Sequence, residues 1–281
     1  MNQENSLIVV NKPKGYTSRD IVNLVCKVLK TKSVGHIGTL DPLAEGVLVL
    51  LTGKYTKLSN ILVEHDKEYI ASFKLGILTD TLDTEGNVLK EESVSIDKEK
   101  IVEALRYYTK TYSQEVPIYS AVKVNGRKLY DYARNNEKVD LPKKEVTIYD
   151  MELLGIDGNV VTIKCSVSRG TYIRSLIRDI GEYLGTYATM TSLVRTKLGQ
   201  FELCDAASLE DVKKNIFKRL VLNDFMDINI INIDNKDEYK KIKNGNKIDS
   251  MDNKYILYRY DNQDIALYGP KNNSLRPIIM F

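Results

Sequence analysis

Val160-Val-Thr-Ile-Lys-Cys-Ser-Val167 alternates without a break. Val161, Ile163, Cys165 and Val167 fall on one face, and Thr162, Lys164 and Ser166 on the other. A period of two with one apolar face marks a strand covered on one side only, as in an antiparallel sheet. Upstream, Val146 to Leu154 has strand composition, and Ile156-Asp-Gly-Asn159 supplies a turn between the two runs. Downstream the period changes to helical. Thr171 to Leu184 places Ile173, Leu176, Ile177, Ile180 and Leu184 on one side. Strands, hairpins and helices mixed in this way predict an α+β fold built on a mixed, largely antiparallel sheet.

Other elements extend the pattern in both directions. Leu7-Ile-Val-Val10 reads as a buried strand, and Thr17 or Ser18 caps a helix with Ile21, Leu24, Val25, Val28 and Leu29 inward. Val34 to Gly38 is short and extended, Val47 to Leu51 is a strand, and Lys57 to Glu64 reads as helix. Tyr69 to Leu78 is a strand with Tyr69, Ala71, Phe73 and Leu75 on one face. Asp97 opens a helix to about Lys110, Arg127 to Arg134 is a short helix, and a last strand covers Leu193 to Leu203. Ser208 opens a further helix. Beyond about residue 225, short strands between Asn, Asp and Gly turns predict a small β-rich unit.

The 281 residues suffice for about two domains at roughly 150 each. No apolar run approaches the ~18 residues of a membrane-crossing helix. The opening Met1-Asn-Gln-Glu-Asn-Ser6 lacks the basic stretch and apolar core of an export signal, so a cytoplasmic protein is expected. Cys26, Cys165 and Cys204 are too few and too scattered for a disulfide framework. With His36 and His65 as the only imidazoles, no metal site of histidines is expected. The net charge of +3 conceals an uneven distribution: residues 1–60 hold 8 Lys/Arg against 4 Asp/Glu, and residues 160–200 hold 6 against 2. Two basic segments that converge would suit a polyanion such as nucleic acid.

Gly46-Val-Leu-Val-Leu-Leu-Thr-Gly-Lys54 is superficially like a phosphate-binding loop. Its glycines are too far apart, however, and Tyr55 stands where a magnesium-binding hydroxyl belongs. The stretch Gly35-His-Ile-Gly-Thr-Leu-Asp-Pro-Leu-Ala-Glu-Gly-Val-Leu48 is more informative. Pro42 keeps Asp41 out of helical geometry. The apolar residues on both sides imply a carboxylate held in a cleft, where it needs a cation or takes up a proton. Ser168-Arg-Gly-Thr-Tyr-Ile-Arg-Ser-Leu-Ile-Arg178 offers candidate cations in Arg174 and Arg178, behind a helix N-terminus suited to an anion. Arg195 and Leu193 follow in Leu193-Val-Arg-Thr196, with their orientation open.

The loop Gly35 to Leu48 resembles the signature of the tRNA pseudouridine-55 synthases, the TruB family. Val10-Asn-Lys-Pro-Lys-Gly-Tyr-Thr-Ser18, Lys67-Glu-Tyr69, Leu75-Gly-Ile-Leu-Thr-Asp-Thr81, Val116-Pro-Ile-Tyr-Ser-Ala-Val-Lys123, Lys128-Leu-Tyr-Asp-Tyr-Ala-Arg134 and Arg169-Gly-Thr-Tyr-Ile-Arg174 agree with that family in order and spacing. The likeness runs from about residue 6 to 215. It implies a catalytic domain over 1–222, with an insertion at about 116–145 that grips the RNA arm. A PUA-like RNA-binding domain is implied over 223–281.

The resemblance also implies roles. Asp41 matches the catalytic aspartate, Tyr69 the tyrosine that stacks on the target base, and Arg174 the arginine paired with the carboxylate. Tyr172 and Leu193 match residues lining the uracil pocket, and His36 a histidine that holds the opened RNA loop. Asp80 lies in a matching motif and is counted with the substrate-binding residues. Ile37 departs from the family pattern, which has Thr there, and implies a retuned loop with activity retained.

The implied reaction turns one uridine in the T loop of tRNA, position 55, into pseudouridine. The N1–C1′ bond breaks, uracil turns in its pocket, and C5 bonds to C1′. Nothing is added or lost, so no cofactor or metal is called for. Asp41 could attack the sugar, stabilise positive charge there, or remove a sugar proton; the residues alone leave this open. A monomer without an obligatory protein partner, acting on the tRNA T arm, is expected. Two other readings use the same surface: an RNA-binding or RNA-folding protein that needs no Asp41, and a guide-RNA-dependent synthase. The intact set of Asp41, Tyr69 and Arg174 disfavours the first as the sole function, and the short C-terminal module disfavours the second.

Overall fold

The computed structural model describes residues 5–63, 65–95, 97–250 and 253–281. Both the end of the helix expected at Glu64 and the reading of Met1 to Glu4 as lacking an export signal involve positions outside these. A nine-stranded sheet forms the larger part. Its first strands are β1 (Leu7–Lys12), β2 (Val34–Ile37), β3 (Glu45–Thr52) and β4 (Lys67–Leu75). Along the main path β1 is followed by β3, the strand Ala188–Leu198, β4, Val160–Val167, Lys143–Asp157 and Thr111–Glu115. All neighbours on this path are antiparallel except β3 and Ala188–Leu198, which run parallel. The mixed, largely antiparallel sheet follows the alternation in the sequence. In β4 the odd residues from Lys67 to Leu75 are buried and the even ones half-buried.

This end of the sheet is buried on both faces because Leu7 to Val10 of β1 and Val47 to Leu51 of β3 are apolar without a break. Ile8, Val10, Leu48 and Leu50 join one core with the helices, whereas Leu7, Val9, Val47, Val49 and Leu51 join a second. That second core also contains Leu257, Leu267 and Ile279 from a separate five-stranded sheet, whose first strand is Ile228–Asn232. The C-terminal β-rich part therefore packs against the back of the large sheet, opposite the face that the helices cover.

Several boundaries differ from the sequence reading. The strand expected at Leu193 begins at Ala188, because Thr189 and its neighbours pair with the end of β4. Lys143–Asp157 extends beyond both expected ends: its polar first residues pair with Thr111–Glu115, a partner invisible to local pattern. Arg127 and Lys128 form a short strand with Lys123 and Val124, so helix starts only at Leu129. Gly53–Leu58 winds as a 3-10 turn before helix Ser59–Leu62. Thr17, not Ser18, is the N-cap of helix α1 (Ser18–Val28), in a reciprocal pairing with Asp20.

Candidate active site

Asp41 sits in the loop between β2 and β3, and four independent contacts fix that loop. Ser18, freed from capping, is buried and bonds both ways to Leu40, accepting from its N–H at 2.9 Å and donating to its carbonyl at 3.1 Å. Lys12, fully buried, donates to the carbonyls of Pro13, Tyr16 and Pro42. Gly15 N–H adds a second bond to Pro42, at 2.8 Å. Arg195, also fully buried, donates to the carbonyls of Gly38 and Val47 at 2.9 and 2.7 Å. Polar groups this deep must be paired, so each pin resists displacement of the loop.

Arg174 lies in the first turn of the helix Ile173–Tyr183 and is only 7% exposed. Its Nη2 stands 2.9 Å from Oδ2 of Asp41. The guanidinium does not make a two-bond fork with Asp41. It spreads over several acceptors instead: Nη1 donates to the Thr81 carbonyl at 3.0 Å, Nη2 also to that of Tyr119 at 3.1 Å, and Nε faces Asp83 at 3.8 Å. Asp41 Oδ1 has no protein partner among the described residues, and the side chain is 40% exposed, so one carboxylate oxygen faces the cleft.

The cleft has a volume of about 510 Å³. Asp41, Tyr69, Tyr172, Arg174 and Leu193 all line it, together with Lys67, Tyr119, Lys144, Arg169 and Arg195. Tyr69 and Arg195 face each other directly across the pairing of β4 with Ala188–Leu198, which settles the orientation that was open for Arg195 and Leu193. Burial raises the Tyr69 phenol above its ordinary value, with Arg195 acting the other way. Tyr172 is likewise raised by burial, opposed by the Ser120 hydroxyl and Arg174. Both rings are therefore neutral at pH 7. Tyr172 is the helix N-cap without a capping side chain of its own. Gln114, 2% exposed, instead fixes the Tyr172 main chain, accepting from its N–H at 2.9 Å and donating to its carbonyl at 3.2 Å.

Three expected residues stand elsewhere. His36 is half-buried on β2 and is not part of the cleft lining; burial, then Arg19 and Arg195, lower its pKa. Asp80 accepts from the backbone and side-chain amides of Asn87 and so closes the 80–87 turn. Arg178 binds Glu115 and Asp179, tying its helix to the sheet edge. Ile37 points into the rear core at 1% exposure, away from the cleft. Sequence reading missed Asp83, Ser18, Gln114 and Lys67 in these positions. Asp83 lies two residues past the motif ending at Thr81, and nothing local distinguishes it from Asp80. Its Oδ1 accepts from the Thr81 hydroxyl and the Glu85 amide.

The family model for the TruB family pseudouridylate synthase N-terminal domain matches residues 26–173. That for the tRNA pseudouridylate synthase B C-terminal domain matches residues 174–227. The chain belongs to the TruB family. A tRNA pseudouridine synthase B of Fusobacterium nucleatum is 41% identical over 278 residues, 96% of each chain. One of Caldicellulosiruptor saccharolyticus is 42% identical over 255 residues, covering 90% of this chain and 86% of the relative. Among solved structures, an H/ACA RNP bound to a substrate RNA containing 2'-deoxyuridine superposes with a TM-score of 0.66 at 21% identity. It covers 98% of this chain and 83% of that one, a likeness of fold. The TruB membership bears out the family, the α+β fold and the enzyme class read from the sequence. No described helix is long and apolar enough to cross a membrane.

Proposed function

We propose that this TruB-family chain isomerises one uridine in the T loop of tRNA, position 55, to pseudouridine, with Asp41 as the catalytic residue. The observation that carries the reading is the pairing of Asp41 with a buried Arg174 at 2.9 Å in a cleft walled by Tyr69, Tyr172 and Leu193. Arg174 holds one carboxylate oxygen and so aims the other at the sugar of a base drawn into the cleft. Tyr69 stacks on that base, and Leu193 and Tyr172 hold uracil while it turns. Extracting the base from a folded loop costs roughly a few kcal/mol. Lys144 and Arg169 on the cleft rim, with the basic residues of the 116–145 insertion, offset that cost through phosphate contacts.

His36 acts outside the cleft, on the opened RNA loop. It is half-buried on β2, so part of the residue is left accessible to such a loop. Asp80 contributes through the turn that presents Asp83 to Arg174. The catalytic domain spans 1–222 and a PUA-like RNA-binding domain 223–281. The separate sheet starting at Ile228 supports this division. The protein works as a monomer in the cytoplasm with no obligatory protein partner and no cofactor, and helps tRNA to fold as a consequence of opening its loop.

The test is base-resolved mapping of pseudouridine in a tRNA transcript incubated with the purified protein alone. Conversion confined to the T-loop uridine is expected. Conversion that requires an added guide RNA, or none at all, would overturn the reading.

A further inference from the structure

Lys67 lies on β4 two residues before Tyr69 and on the same face, 9% exposed, and lines the same cleft. Its Nζ donates one hydrogen bond, at 2.7 Å, to the His65 carbonyl, and no described carboxylate lies within ion-pair distance. Among the described residues the acid acting on it is Asp66, whose Oδ1 accepts from the Tyr149 hydroxyl. The other charges acting on it are positive, Arg195 and Lys144. Arg195 itself directs its donors to two main-chain carbonyls.

The cleft is therefore electrically lopsided. Around Arg174 the positive charge is balanced by Asp41 and Asp83. Around Lys67 two buried cations, Lys67 and Arg195, have no ion-pair partner among the described residues. Burying a charge unpaired is costly, and such a cost is retained where a ligand removes it. Lys144, the neighbouring cation, is exposed, so this end of the cleft opens towards solvent.

We propose that Lys67 seats an anionic oxygen of the substrate nucleotide, the phosphodiester flanking the flipped uridine. This rests on the reading of the cleft as the pocket for a flipped uridine stacked on Tyr69. The base lies on Tyr69 and its phosphate reaches back along β4, about 7 Å for two strand residues. Consistent with an ammonium awaiting an anion, burial first and then Arg195 push the Lys67 pKa down to about 8.

The experiment uses T-arm RNA carrying a neutral methylphosphonate at the phosphate 5′ or 3′ of the target uridine, with the wild-type protein and Lys67→Met. Affinity is measured at several salt concentrations, and single-turnover rate at saturating RNA. One of the two methylphosphonates is expected to weaken wild-type binding roughly tenfold or more, the scale of a charge-assisted hydrogen bond. Lys67→Met should weaken binding of unmodified RNA to a similar degree, with no further loss on that methylphosphonate. Its salt dependence should fall by roughly 0.7 to 0.9 in log–log slope, one phosphate contact.

Independent, additive losses from the variant and the methylphosphonate overturn the seat. Unchanged affinity with a slower saturated rate also overturns it, and assigns Lys67 to the detached uracil instead. Should the variant not fold, the wild-type scan still decides, because insensitivity to both methylphosphonates refutes the proposal. These readouts are of binding, so they stand apart from whether pseudouridine forms. Failure of the unmodified RNA to be isomerised would count against the proposed reaction alone.

Discussion

At the residue scale, the candidate chemistry rests on one carboxylate whose two oxygens have different surroundings. Oδ2 of Asp41 is held by Arg174, and Oδ1 faces the cleft. Asp41→Asn should abolish turnover and largely preserve RNA affinity, since binding is spread over many phosphates. Pseudouridine above a few per cent of the wild-type amount would remove Asp41 from that role. Arg174 serves Asp41, Thr81, Tyr119 and Asp83 from one planar group. An ammonium cannot reach all of them, so Arg174→Lys should lower the saturated single-turnover rate roughly a hundredfold, as a loss of about 3 kcal/mol in the transition state does. A near-normal saturated rate with weakened binding would make Arg174 a phosphate contact.

At the scale of elements, the site depends on how closely β3 and Ala188–Leu198 run side by side. Gly46 adopts φ +101°, and a Cβ there would meet the Arg195 carbonyl oxygen. Gly46→Ala should therefore destabilise the protein by about 2 kcal/mol or more, since strained backbone alone costs ~1–3 kcal/mol and the strands must also part. Urea denaturation measures this, and a loss under 0.5 kcal/mol, on the order of an exposed surface change, would contradict the close approach. Ser18→Ala should leave Leu40 N–H buried and unpaired, at ~1–3 kcal/mol. The Asp41 loop is what that bond holds, so the saturated rate should drop while RNA affinity changes little. An unchanged saturated rate would mean the loop is held without Ser18.

At the scale of the whole molecule, two buried lysines shape stability against pH. Burial lowers Lys12 and Lys67 from 10.5 to about 8 in the folded protein. The folded state thus binds these protons less well than the unfolded chain. The penalty is complete below about pH 8 and is relieved as pH rises towards 10.5. Tyr69 and Tyr112 have the opposite sign: burial raises them above 10.0, so their stabilisation is lost as the unfolded phenols ionise beyond that pH. Stability should climb from pH 8 to near 10 and then fall. Lys67→Met should flatten the climb and be more stable than wild type at pH 7. A wild-type profile that declines steadily from pH 7 would refute the balance.

The alternation at 160–167 and the helical spacing at 171–184 were sufficient by themselves for the strand, the helix and the α+β class, because side-chain period follows backbone geometry locally. The motif around Asp41 likewise pointed to a carboxylate in need of a cation, and Arg174 carried the matching charge. What the chain alone could not settle is every contact made between distant segments. Ser18 could equally have capped α1, and only the approach of Leu40 assigns it to the Asp41 loop. Asp83 and Asp80 look alike in sequence, and only the placement of Arg174 separates the buried partner from the turn closer. Lys67 stands in the sequence within Lys67-Glu-Tyr69, ahead of the strand expected from Tyr69 and with no role of its own. Its charge becomes consequential only after the strand pairing sets Arg195 beside it with no described carboxylate within ion-pair distance, because burial and counter-charge are properties of the assembled neighbours.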